Sequence, residues 1–290
     1  MLQHNDRGCD GVAANFLMGF HVFDPAKCRV WPGNGRLQRR RGVVLLAAAL
    51  ALGGVSATGS ALAQGGPPML TDDPGTPGDG KWEINLAATY ERAGDTTTWG
   101  FPVIDANYGV GDRIQLNFQV PYLFEHQHGQ GDESGLGNGQ VAVKWRFFDA
   151  GEDGWQISMY PRVDARMPAN HSALATPGVS YLLPFEFEHK VGDFGVNFEV
   201  GRWLRPSPEE DTWIGGLAIG REVSKELELI AELHDEASVH GSGDELALNF
   251  GARWKVSELC TILGSAGADL HNGLGDRVSA MAYLGLQLNF

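Results

Sequence analysis

Two short groups of side chains in this chain could hold a metal ion. Thr71-Asp72-Asp73-Pro74 places two carboxylates beside backbone carbonyls, a donor set that suits a hard cation such as Ca²⁺. Glu125-His126-Gln127-His128, together with His171, could bind a transition metal through imidazole. We favour the structural interpretations, which are an Asx-type turn for the first group and solvated loop histidines for the second. We therefore predict no resident metal and no cofactor.

A third group could carry hydrolytic chemistry. His234, Ser238, His240 and Ser242 lie close together in the chain, but serine catalysis needs a serine within hydrogen-bond reach of an oriented histidine. The spacing shows no such arrangement, and the chain has no G-x-S-x-G motif. We predict that the chain is not an enzyme, and a barrel hydrolase is the least favoured alternative.

Charged residues recur at alternate positions, where they would face the inside of a barrel. The bases cluster on two neighbouring segments, and the acids on three later ones. These lumen-lining candidates are Lys144, Arg146, Arg162, Arg166, Glu186, Glu188, Glu199, Glu226, Glu228 and Glu232. Two opposed charged walls could orient a polar or zwitterionic solute in a pore. An interior cross-linked by salt bridges, without an open channel, fits equally well. Counted by parity, eleven acids and nine bases face inward, so we expect no strong charge selection.

The elements that carry these side chains are strands. Twelve segments of ten to fifteen residues alternate apolar and polar positions, and none shows convincing helical periodicity. They span 81–92, 96–109, 112–124, 138–148, 154–167, 178–190, 193–205, 211–222, 225–235, 243–256, 258–269 and 276–290. The fold class we predict is all-β: an up-and-down antiparallel transmembrane β-barrel of about 12 strands.

Connection lengths and aromatic positions favour lipid, not a protein core, around the barrel. Tight turns such as Val110-Gly111 and Val191-Gly192 alternate with long polar loops, as in outer-membrane barrels. With the tight turns at the bottom, outward aromatics fall into two groups. The lower group is Trp82, Tyr108, Phe147, Trp155, Phe194, Trp254 and Phe290, and the upper group is Tyr90, Tyr122, Tyr181 and Trp213. Trp82 and Tyr90 would be separated by roughly 20 Å of height on a tilted strand, close to the apolar band of such barrels.

The N-terminal part of the chain reads as a targeting segment. Arg39-Arg40-Arg41, the short apolar run 43–52 and Ala61-Leu62-Ala63 have the order of a secretory signal peptide. We predict three regions: 1–63, an N-terminal extension plus signal peptide cleaved after Ala63; 64–80, a Pro/Gly-rich periplasmic arm; and 81–290, the transmembrane β-barrel. The arm would lie beneath the barrel or partly plug it.

Net charge bears on the kind of partner, and the cysteine count bears on disulfide bonds. Because residues 1–63 hold 7 of the 22 Lys/Arg and 3 of the 36 Asp/Glu, residues 64–290 carry 15 bases and 33 acids, a net charge of −18. This excess of acid argues against nucleic acid as a partner. Cys9 and Cys28 precede the cleavage site, so Cys260 alone cannot form an internal disulfide.

Two stretches resemble known proteins. The terminal Leu286-Gln287-Leu288-Asn289-Phe290 resembles the assembly signal of Gram-negative outer-membrane barrels. Pro67-Pro68-Met69-Leu70-Thr71-Asp72-Asp73-Pro74, followed by Gly80-Lys81-Trp82-Glu83, resembles the meta-pathway phenol-degradation-like family of outer-membrane transporters. The resemblance covers the arm and the first strand. It implies transport of small solutes, with aromatic or hydrophobic compounds suggested by the family name.

The sequence thus predicts a monomeric channel in the cell outer membrane that passes small solutes by diffusion. We expect outer-membrane lipid and the barrel-assembly machinery as partners, with Phe290 as the residue that the machinery recognises. The alternative from another class is a closed structural or adhesin-like interaction barrel that acts through its acidic loops.

Overall fold

The computed structural model describes residues 66–151, 154–168 and 170–290, and almost all of its regular structure is β-strand. The predicted signal peptide and the first residues of the arm lie outside these ranges. The strands are β1 (Trp82–Ala93), β2 (Thr96–Val110), β3 (Ile114–Gln127), β4 (Gly131–Leu136), β5 (Gly139–Asp149), β6 (Gln156–Met159), β7 (Arg162–Ala165), β8 (Val179–Val191), β9 (Phe194–Leu204), β10 (Thr212–Glu222), β11 (Leu227–Ser238), β12 (Asp244–Ser257), β13 (Cys260–Asn272) and β14 (Val278–Asn289). A 3-10 turn at Pro208–Glu210 precedes β10. None of the helical structure in the described residues is long and apolar enough to cross a membrane.

The fourteen segments close into a barrel of twelve antiparallel strands, which confirms the predicted fold. The short β4 and β5 follow each other along β3, and β6 and β7 follow each other along β8, so each pair makes one wall strand. The ring closes where β1 pairs with β14, with Leu86 opposite Leu286. Phe290 continues this pairing, because its N–H donates to the Trp82 carbonyl at 3.0 Å. The wall therefore has no exposed edge, which a barrel in lipid requires.

The barrel has one end with short turns and one end with longer loops. Gly111 and Gly192, in the turns β2–β3 and β8–β9, have φ of 61° and 63°, values that glycine adopts at no steric cost. The opposite end carries the connections 166–178, 205–211 and 239–243. We refer to these as the turn end and the loop end.

Alternation along each strand separates an apolar outer face from a polar inner face. On β3, Leu116 and Phe118 are exposed, whereas Gln115 and Asn117 are buried. This is the reverse of a water-soluble protein and matches a wall that faces lipid. The apolar outer face and polar interior follow from the alternation read in the sequence.

Aromatic rings lie on the outer face near both ends of the wall. Trp82 contacts Tyr108 at the turn end, with ring centroids 4.8 Å apart, and Tyr90 contacts Trp99 at the loop end, at 4.6 Å. Amphipathic rings at two heights are typical of the two interfaces of a bilayer.

Candidate functional site: a polar lumen occupied by the arm

The N-terminal arm, residues 66–80, rises from the turn end and crosses the lumen. At its foot, the Gly80 N–H donates to the Gly109 carbonyl at 3.0 Å, and the Thr76 hydroxyl donates to the Asp112 carbonyl at 3.0 Å. Higher up, the arm contacts inward side chains of β5, β7, β9, β11 and β12. Of the two predicted positions of the arm, beneath the barrel or inside it, the structure has the second.

An ion cluster holds the middle of the arm. The Asp72 carboxylate accepts from Lys144 Nζ at 2.8 Å and from the Arg162 guanidinium at 2.9 Å. Arg162 also lies 3.5 Å from Glu199, and Lys144 lies 3.5 Å from Glu186. We call these five residues the Asp72 cluster. Burial favours the neutral carboxyl, but Lys144 and Arg162 more than offset that effect, so the pKa of Asp72 lies below its usual value.

Two further anchors hold the part of the arm before Asp72. Glu232 on β11 accepts from the backbone N–H of Leu70 at 3.1 Å and of Thr71 at 2.5 Å. Arg253 on β12 donates to the carbonyls of Gly66 and Pro67 at 3.0 Å and 2.9 Å. The arm's own backbone groups therefore find charged partners on the wall, as buried polar groups require.

Glycines in the wall let the arm approach closely. A Cβ on Gly216 of β10 would lie 2.2 Å from the Thr71 hydroxyl oxygen, and one on Gly251 of β12 would lie 2.0 Å from the Met69 methyl carbon. Met69 also packs against Ala218 and Ile230. The Gly215-Gly216 pair interrupts the apolar–polar alternation of β10. The docked arm explains why residue 216 has no side chain.

A cavity of about 120 Å³ remains beside the arm, towards the loop end. Its floor includes Met69, Leu70 and Asp72 of the arm. One wall carries a buried apolar cluster of Leu182, Trp203 and Ile214. The remaining wall residues are mostly polar and come mainly from β2, β3, β11 and β14, with Val103, Met281 and Ala282 as further apolar residues. The arm therefore does not fill the lumen completely.

Most of the lumen-lining candidates lie inside the barrel. Lys144, Arg162, Glu186 and Glu199 meet in the Asp72 cluster, and Glu232 anchors the arm at a separate point. The other three interior candidates are Arg146, Glu188 and Glu228. Glu228 lies 3.4 Å from Arg253, and Glu188 is buried. Arg146 lies near the turn end, where it donates to Gln156 at 3.0 Å.

Arg166 and Glu226 do not lie in the interior, contrary to the parity count. Arg166 follows the last residue of β7, is exposed, and donates to the Ala175 carbonyl of the next loop. Glu226 precedes β11 and is exposed in a turn, where it bonds the Ser224 hydroxyl at 3.1 Å. Alternation assigns a residue to a face only within a strand, and both residues lie just beyond a strand end.

The interior is acidic, which the sequence count missed. Among the described residues, thirteen buried carboxylates face only three buried basic side chains, Lys144, Arg205 and Arg253. Four of the nine bases counted as inward by parity, namely Lys81, Arg113, Arg166 and Lys255, are exposed. These four residues lie at or beyond strand ends, where a long basic side chain can extend into water. The shorter carboxylate side chains remain inside the barrel.

The residues of the two candidate metal sites and of the candidate hydrolytic group do not come together into such sites. Within the described residues, no group of three His, Cys, Asp or Glu side chains could hold a metal ion. His126 instead contacts Asp132 at 2.5 Å on an exposed hairpin, and the Asp72 carboxylate is taken by two basic side chains. Ser238 accepts from the Gly241 N–H at 2.8 Å, so its hydroxyl caps a loop turn.

Comparison with known proteins identifies the fold. No protein-family model matches the chain, and no curated protein matches it, so the family resemblance of the arm stays a prediction. Among solved structures, an outer-membrane channel from Pseudomonas putida F1 is similar, with a TM-score of 0.62 at 13% identity, covering 75% of this chain and 98% of that one. The KdgM porin in complex with disordered oligogalacturonate is similar with a TM-score of 0.50 at 9% identity, covering 71% and 99%. This likeness shows the fold, a closed antiparallel β-barrel, and the apolar outer face with its two aromatic belts is typical of a barrel that spans a membrane.

Proposed function

We propose that this chain is an outer-membrane channel through which small solutes diffuse, and that the arm sets the width of the path. The observation that carries the proposal is the occupant of the lumen. Barrels of about eight strands can fill their interior with side chains alone, and wider ones enclose space. In this twelve-strand barrel a separate segment, residues 66–76, takes that space, and a cavity is left beside it.

The contacts of the arm are suited to reversible docking. They are mostly hydrogen bonds and ion pairs between polar groups, as at Asp72 and Glu232, which water can replace when the arm moves. In the described part of the arm, Met69 and Leu70 are the residues that pack against buried apolar clusters of the wall. Displacement of this segment would join the cavity to the turn end without breaking the barrel wall.

The class of solute follows from the lining of the cavity. Leu182, Trp203 and Ile214 offer an apolar wall next to polar groups, which supports passage of small aromatic or hydrophobic compounds. No cofactor or energy source is part of this mechanism, because diffusion down a gradient needs none. Monomeric action is also part of the proposal.

The test is the conductance of refolded full-length protein in planar bilayers, with solute uptake measured by liposome swelling. We expect small, noisy single-channel currents from the intact protein and larger currents after deletion of residues 66–73. Absence of current from both proteins would rule out a channel and leave the closed interaction barrel. Removal of 128–134 from the exposed hairpin is the matched control, since a channel keeps its conductance and an adhesin loses its partner.

A further inference from the structure

The cavity beside the arm is lined by more acidic than basic groups. Asp72, Asp105, Glu199 and Glu236 reach its lining, and Arg162 is the one Lys or Arg among the described residues that does so. Arg162 is already bound to Asp72 at 2.9 Å. A solute in this cavity therefore lies next to more carboxylates than basic side chains.

Asp164 adds a carboxylate without a hydrogen-bond partner among the described residues. It is 1% exposed, and neither of its oxygens has a hydrogen-bond partner among the described residues. It shares the inward face of β7 with Arg162, which reaches the arm. Burial of an ionised carboxylate without hydrogen bonds costs several kcal/mol, so a cation beside it in the lumen would lower the free energy of its charged form.

The buried basic side chains are already committed to acids or to the arm. Lys144 binds Asp72, Arg205 lies 3.0 Å from Glu236, and Arg253 lies 3.4 Å from Glu228. An anion that entered the cavity would have to break one of these pairs. A cation needs no such rearrangement.

The same cavity offers an apolar surface. Leu182, Trp203 and Ile214 pack together on one side of it. The cavity volume of about 120 Å³ is near the roughly 150 Å³ of an apolar cavity that binds benzene. One small ring with a charged substituent is a suitable size.

We infer that this channel selects small organic cations, such as an aromatic amine, over anions of the same size. The inference rests on the proposed channel function and names the solute class for it. The apolar part of the solute lies against the Leu182–Trp203–Ile214 cluster, and its ammonium group faces the carboxylates. In a barrel with low-dielectric walls, these charges raise the local concentration of cations and lower that of anions.

The reversal potential of the full-length channel in a KCl gradient tests the charge preference. Replacement of K⁺ by benzylammonium, or of Cl⁻ by benzoate, then compares two solutes with the same ring and opposite charge. Only the charged forms of these two solutes carry current, so the recordings compare the cation with the anion. We expect a K⁺/Cl⁻ permeability ratio above about 3, since several fixed carboxylates give potentials of more than one kT, and benzylammonium more permeant than benzoate.

Variants locate the selectivity. Asp164→Asn should lower the K⁺/Cl⁻ permeability ratio by up to about twofold, because it removes the charge that this carboxylate carries when ionised, without removing a described hydrogen bond. Asp105→Asn provides a second variant at the cavity lining, should the first fail to fold. Glu258→Gln is the control, since Glu258 is exposed in a turn at the turn end and should leave the ratio unchanged.

The outcomes separate the two claims. No current from the intact or the arm-deleted protein overturns the proposed function and this inference with it. Current with a K⁺/Cl⁻ ratio at or below 1, or benzoate as permeant as benzylammonium, overturns this inference and leaves the channel function standing. A cation preference that both Asp164→Asn and Asp105→Asn leave unchanged would contradict its assignment to these carboxylates.

Discussion

The carboxylate of Asp72 in the arm lies 2.8 Å from the Nζ of Lys144 in the wall, although 72 positions separate them in the chain. Both groups are largely withdrawn from water, and the same carboxylate also binds Arg162. This contact joins the segment that occupies the lumen to the strand that bounds it. Most of what we expect of the arm depends on this pair.

Removal of the charge on Asp72 should release the arm. Asp72→Asn removes the nearest carboxylate from Lys144 and Arg162, which keep Glu186 and Glu199 at 3.5 Å. The docked arm should therefore lose part of the about 3–5 kcal/mol that breaking a buried ion pair costs. We expect higher single-channel conductance with the barrel wall intact, as judged by heat-modifiable mobility in gel electrophoresis. Glu258→Gln, an exposed change of the same kind, should match the unmodified protein. Equal conductance in all three proteins would argue against an arm that limits the path.

A side chain at Gly216 should displace the arm by volume alone. A Cβ there would lie 2.2 Å from the Thr71 hydroxyl oxygen, so Gly216→Val cannot coexist with the docked arm. We expect conductance to rise in bilayer recordings, without a change in charge. The neighbouring Gly215→Val is a matched control, because a Cβ at Gly215 meets no atom within 4 Å. If both variants conduct alike, the close approach of Thr71 has no functional role.

Acid should open the channel only at unusually low pH. The pKa of Asp72 in the docked arm is lowered from its ordinary value, so its ion pairs are fully present above the pKa of a free aspartate, about 3.9. They are lost as the pH falls through the lower pKa of the docked state. We expect a rise in conductance below about pH 3.9 in the unmodified protein. Other carboxylates in the barrel wall can also take up protons at this pH. The measurement that tests Asp72 is therefore the difference between the conductance increase of the unmodified protein and that of Asp72→Asn.

Loss of the terminal aromatic ring should impair assembly. Phe290 is 61% exposed on the outer face, and its backbone pairs with Trp82 across the closing seam. Deletion of Phe290 should reduce the amount of protein recovered in the outer-membrane fraction. Phe290→Tyr keeps an aromatic ring at the same place and should insert normally. Full insertion of the deletion variant would count against recognition of this residue by the assembly machinery.

Alternation along the chain was sufficient to predict the barrel. In strands such as β3 and β11, apolar and polar residues alternate so regularly that the period of two assigns each side chain to a face, and tight turns at glycines such as Gly111 bound the strands. The count of twelve and the outward aromatics followed from the same local pattern. This information lies within ten or fifteen residues of each position, so no long-range contact is needed to read it.

The site depended on contacts that no local pattern encodes. The arm could have lain beneath the barrel, and its position inside depends on Glu232, Arg253 and the Asp72 cluster, which come from strands far apart in the chain. The acidic character of the lumen also emerged only in three dimensions, because burial decides which charges remain inside. Parity gave Arg166 and Glu226 an inward face, but the strands stop short of them. Periodicity determines the face of a residue within a strand, whereas the end of the strand and the segment that fills the lumen are set by packing across the whole barrel.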